Sequence, residues 1–140
     1  MTGFTEADIR SGATGQSFAR GADYYRSGAV FDVVRRGNRL TAQVWGGDDK
    51  PYMIQITLLD AGGIADAFCT CPYEWGGYCK HVVAVLLAAL HGQQVAVKPE
   101  VDALLAGLTE AELLQIIRAL VQSEPDLAAL IEQEVERLKT

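Results

Sequence analysis

All three cysteines of this 140-residue chain fall within eleven residues, and a histidine follows the last of them by two positions. Few features constrain a short chain more. An odd number of thiols cannot be consumed in disulfides within one chain, and a Cys69–Cys71 bridge would close a very small, strained ring. The N-terminus, MTGFTEADIR, lacks a basic segment followed by an apolar one, so the sequence predicts no secretory signal and a cytoplasmic protein. In a reducing compartment, clustered cysteines point to metal or redox chemistry.

The segment Cys69-Thr70-Cys71-Pro72-Tyr73-Glu74-Trp75-Gly76-Gly77-Tyr78-Cys79-Lys80-His81 reads C-x-C, seven residues, C-x-H. Side chains two apart on an extended strand point the same way, so Cys69 and Cys71 can meet one ion. Inside a regular helix, Cys79 and His81 would diverge by about 200°. They converge if Cys79 stands just outside the helix and His81 lies in its first turn, where the free N–H groups and the helix dipole also favour a thiolate. Pro72 and two glycines let the intervening loop fold back over the metal.

Three thiolates and one imidazole make a closed tetrahedral shell, the structural kind of zinc site. A catalytic zinc would keep one position for water. Soft thiolates exclude magnesium and calcium and favour zinc over ferrous iron. Three inert cysteines beside a chance histidine would leave the ligand spacing unexplained. A Cys79–His81 nucleophilic dyad lacks an orienting third group and oxyanion donors. The expected complement is one structural Zn²⁺ on Cys69, Cys71, Cys79 and His81, with no catalytic residue.

Around this motif the chain reads as α+β. Residues 14–28 have helical spacing of Phe18, Ala22 and Tyr25, capped by Thr14 or Ser17 and stopped by Gly28, with a short turn over 5–11 before it. Strands are expected at Val30–Val34, Leu40–Trp45, Tyr52–Leu58 and Ile64–Cys71, with short turns that imply a four-stranded antiparallel meander. A helix from Lys80 or His81 to His91 contains the apolar run Val82–Leu90 and belongs in the core. That run is too short to span a membrane. Gln93–Pro99 reads as a linker. Beyond it, the Thr109–Glu112 capping box and Pro125 each open a helix, giving an α-helical hairpin. The division expected is 1–97 for the zinc-finger domain and 98–140 for the hairpin.

The motif and the apolar helix after it, CTCPYEWGGYCKHVVAVLLAAL, resemble the SWIM-type zinc finger family in its stand-alone prokaryotic form. The upstream RGADYYRSGAVFDV resembles the lead-in common before that finger. The resemblance covers roughly residues 15–91. It implies a ββα finger with the three cysteines and the histidine on zinc, and a role in binding DNA or proteins beside helicase-type ATPases, transposases or recombination factors.

Charge weighs between those partners. The formal net charge is −6, and residues 98–140 hold four basic against nine acidic side chains. An acidic chain is poorly suited to neutralising phosphates. The expectation is therefore a protein-interaction module, auxiliary to a DNA-dependent ATPase or to recombination and repair machinery. Direct DNA binding would be weak, and a redox-sensing zinc site is a third reading. Arg20, Arg26, Arg35, Arg36, Arg39, Lys50 and Lys80 read as solvated charge sooner than as a phosphate-binding face. Tyr73, Trp75 and Tyr78 read as a shield over the metal. Tyr24 and Tyr25 read as one core and one surface ring, and His91 as a helix-end residue outside the ligand set. The oligomeric state does not follow from the sequence.

Overall fold

The computed structural model describes every residue except Met1, Thr2, Asp48, Glu74, Trp75, Gln93 and Gln94. The chain divides into two units, Met1–Glu100 and Val101–Thr140.

The first unit is α+β. Residues 5–11, expected as a turn, form a full helix, α1 (Glu6–Gly12), because Thr5 and Asp8 cap each other's backbone amides and Ile9 is buried. Thr14 caps α2 (Gly15–Arg26) by accepting from the Ser17 amide. Four strands follow as an antiparallel meander: β1 (Val30–Arg36), β2 (Arg39–Val44), β3 (Tyr52–Leu58) and β4 (Ile64–Cys69). Gly37, at φ +59°, makes the β1–β2 turn with Asn38. α3 (Lys80–Leu90) then packs on the inner face of the sheet, and every residue from His81 to Ala89 is buried.

The strand count differs from expectation. Ala96–Val97, inside the expected linker, forms β5 parallel to β1, so the sheet has five strands in the order β4-β3-β2-β1-β5. The Arg36 guanidinium fixes this strap by donating to the Pro99 carbonyl at 2.7 Å. β4 ends at Cys69, so Cys71 lies in the loop beyond the strand.

Register explains the core. Leu40↔Ile56, Ala42↔Ile54 and Ile54↔Cys69 face inward under α3, while Gln43↔Met53 and Gln55↔Phe68 face outward. A bulge in β1 interrupts the alternation. Asp32 takes φ +56°, a conformation that aspartate tolerates better than most residues, and its carboxylate accepts from Gln43 Nε2 at 2.8 Å. Val30 and Val33 can then both point inward, while Phe31 remains outside and stacks on Trp45 at 5.5 Å. α2 reaches α3 through a small-residue contact. A Cβ on Gly21 would lie 2.4 Å from the Val83 side chain, so only glycine permits that approach.

The second unit holds three helices instead of the two expected. They are a short α4 (Val101–Leu105), α5 (Glu110–Ser123) with the Thr109–Glu112 capping box formed, and α6 (Leu127–Lys139). None of the three contains a buried residue. No helix among the described residues is long and apolar enough to cross a membrane.

Candidate metal centre

Cys69 is the last residue of β4 and Cys71 lies just past it, while Cys79 is the N-cap of α3 and His81 sits in its first turn. The Cys79 backbone is extended, and its sulfur accepts from the Val82 amide at 3.5 Å. The i, i+2 pair therefore converges in the way the motif requires. One ligand atom from each of the four residues lies within 4.8 Å of all the others.

The spacing fits zinc. Metal bonds of 2.3 Å to sulfur and 2.1 Å to nitrogen at a tetrahedral angle place those two atoms about 3.6 Å apart. The Nδ1 atom of His81 is 3.8 Å from the sulfurs of both Cys69 and Cys79. Nδ1 is thus the nitrogen that faces the thiols. Nε2, on the far side of the ring, is buried with no hydrogen-bond partner among the described residues. The imidazole is gripped instead by rings, Tyr52 tilted at 4.4 Å and Tyr24 edge-on at 5.2 Å. Gly46 closes the same side, since a Cβ there would meet the Tyr52 ring at 2.3 Å.

Without metal the thiols share protons unequally. Cys79 is lowered to about 4, first by its hydrogen bond with Cys69 and then by those from His81 and the Val82 amide, against the cost of burial. Cys69 is pushed up, chiefly as the proton-bearing partner of Cys79 and also by burial, and Cys71 is raised by burial. One thiolate stands ready at a helix N-terminus, and two thiols must lose protons to a metal.

Around the ligands, the loop is tied to the helices. Tyr73 accepts from the Ser17 hydroxyl at 3.3 Å and donates to the Gly76 carbonyl at 3.0 Å. The Tyr78 amide donates to the Gly12 carbonyl at 2.8 Å, and the Tyr78 ring occupies the space a Gly12 side chain would need. Tyr73 and Tyr78 are both half-buried against the core, which accords with a shielding role; Trp75 lies outside the described residues. Gly77 has φ +73°, and a Cβ there would come within 2.6 Å of the Gly12 carbonyl oxygen. Gly77→Ala should therefore cost about 2 kcal/mol of the first unit's stability, through left-handed backbone strain and the clash. Thermal melting by circular dichroism checks this, and an unchanged transition would contradict the clasp.

Several other sequence expectations meet different fates. Tyr24 and Tyr25 are both half-buried, Tyr24 on His81 and Tyr25 stacked on His91 at 5.9 Å, so neither is a free surface ring. His91 stands at the C-cap of α3 and is outside the cluster. Arg26 pairs with Asp23, Arg39 donates to Gln55, and the Lys80 ammonium lies 5.2 Å over the Tyr24 ring. The rings that hold His81 were not foreseeable, because their spacing from the motif carries no signal.

Comparison with known proteins agrees with this chemistry. Residues 43–90 match the family model described as SWIM zinc finger. Over 126 residues the chain is 29% identical to a Drosophila melanogaster protein described as "Zinc finger SWIM domain-containing protein 8 homolog". The match covers 86% of this chain and 6% of that protein, so the chain spans a small part of its curated relative. No solved structure matches. With an insect protein as the relative, nothing ties the finger to a prokaryotic form of the family. Residues 43–90 are thus similar to SWIM zinc fingers, and the cluster of Cys69, Cys71, Cys79 and His81 is placed to hold one structural zinc ion.

Proposed function

We propose that the chain is a protein-binding module and not an enzyme, with the zinc serving to hold its shape. The observation that carries this reading is the outer face of the sheet, turned away from α3. There Trp45, Met53 and Phe68 are each about half exposed, and Phe31 stacks on Trp45. Exposed apolar and aromatic side chains gathered on one face suit a protein partner better than a phosphate backbone. The four ligand side chains fill a tetrahedral shell, so no position is left for a substrate or a nucleophilic water. An auxiliary role beside a DNA-dependent ATPase or recombination and repair machinery is the finer form of the proposal.

Direct DNA binding has one observation in its favour. Arg20 and Lys80 line a cavity of about 450 Å³ beside the metal ligands, with no carboxylate among the described lining residues. A fluorescence titration with single- and double-stranded oligonucleotides at physiological salt decides between the two. The account expects weak binding that falls steeply with salt, and nanomolar affinity would put DNA first. For the protein reading, quantitative affinity capture should lose its specific partners with Trp45→Ser/Phe68→Ser while the zinc is retained. Capture unchanged by that substitution would remove the sheet face from the proposal.

A further inference from the structure

The second unit has amphipathic helices and no interior. On α5, Leu113, Leu114, Ile116, Ile117 and Leu120 cover an arc of about 160°, and on α6, Leu127, Leu130, Ile131, Val135 and Leu138 cover one of about 140°. The three helices leave part of these arcs in water. Leu120 remains 52% exposed, Leu130 54% and Leu138 74%. An apolar surface of this kind accepts a further helix.

Charge selects which helix. Residues 101–140 hold eight acidic and three basic side chains. Glu110 stands one turn before Leu113 and Leu114, at the N-terminal end of the α5 stripe, and Glu134 lies within the α6 stripe, one turn from both Leu130 and Leu138, so each stripe carries one carboxylate. Glu134 is engaged by Arg137 at 2.6 Å on its own helix, but both side chains are more than 60% exposed. Such a pair is weak and exchangeable. A second copy would bring two units of net −5 together, so like charges oppose self-pairing.

We infer that the α5–α6 face docks a basic amphipathic helix of a partner protein, with leucine-like side chains on the exposed apolar stripes and lysine or arginine against Glu110 and Glu134. The inference rests on the reading of the chain as a protein-binding module, but it uses a surface separate from the sheet face.

The test uses the full chain and a labelled synthetic peptide of about three heptads of leucine and lysine. Fluorescence anisotropy should show saturable binding that weakens with salt. A scrambled peptide of the same composition should bind at least about tenfold more weakly, as should a leucine–glutamate version. Leu120→Glu/Leu130→Glu should weaken the lysine peptide by a similar factor. Glu110→Gln/Glu134→Gln, which leaves every apolar contact in place, should weaken it several-fold and flatten its salt dependence. Equal binding of the scrambled peptide would overturn the inference, because charge alone would then explain the capture. So would a full-length dimer that Leu120→Glu/Leu130→Glu dissociates, or a loss of the first unit's melting transition in that variant. Trp45→Ser/Phe68→Ser should leave peptide binding unchanged, so failure of the sheet-face reading and failure of this one are distinguishable.

Discussion

Replacing Cys79 by alanine should strip the zinc and lower the melting temperature of the first unit by more than about 20 °C. Structural zinc contributes roughly 10–16 kcal/mol of apparent binding free energy, comparable to the whole stability of a small domain. Losing even about 5 kcal/mol of it corresponds to a shift of that size for a unit of about 100 residues. The metal joins the end of β4 to the start of α3, and α3 is the helix on which the core is built. Cys79 also caps that helix, so two effects overlap in the alanine variant. Cys79→Ser separates them. A serine oxygen can still cap Val82, which restores about 1 kcal/mol, but it is a poor zinc ligand. Both variants should therefore melt far below the parent and close to each other. If Cys79→Ser recovered most of the lost stability, capping would outweigh the metal.

The second large effect is on zinc affinity as a function of pH. At pH 7, metal-free Cys79 is already a thiolate because its value is lowered to about 4. Cys69 and Cys71, raised above the ordinary thiol value of 9.0, still carry their protons. Zinc must displace both of those protons, so affinity falls as pH falls. Each unit of pH between about 7 and 8 should change the apparent affinity by about a hundredfold, or 2.7 kcal/mol. Chelator competition at several pH values, in the cold and with the fold followed by circular dichroism, measures the slope. A slope of three would mean that Cys79 is protonated without metal and that the site is assembled only by the ion. A slope near zero would remove the cysteines from the metal shell.

The metal centre was legible in the sequence because its geometry is local. Two ligands are set by strand alternation and two by a helix start, and the spacing around Pro72, Gly76 and Gly77 says how they meet. The meander was legible for a related reason, since short turns leave sequential strands little choice but to pair. What escaped depends on contacts between distant segments. Ala96–Val97 has no strand signal of its own and becomes β5 only because β1 offers an unpaired edge. α1 is short and is held by Ile9 in the core and by a capping box that uses aspartate where glutamate is usual. The bulge at Asp32 breaks the alternation that would have announced β1 in full. The grip of Tyr24 and Tyr52 on His81 joins residues from α2 and β3 to α3, and no period along the chain foretells it.

The central claim is that one zinc ion, held by Cys69, Cys71, Cys79 and His81, holds the first unit together. Elemental analysis of the intact chain, purified without added metal and melted with and without a chelator, tests it most directly. The account predicts one zinc per chain and a melting transition that drops when the chelator removes it. A metal-free protein that melts at the same temperature with or without added zinc would contradict it.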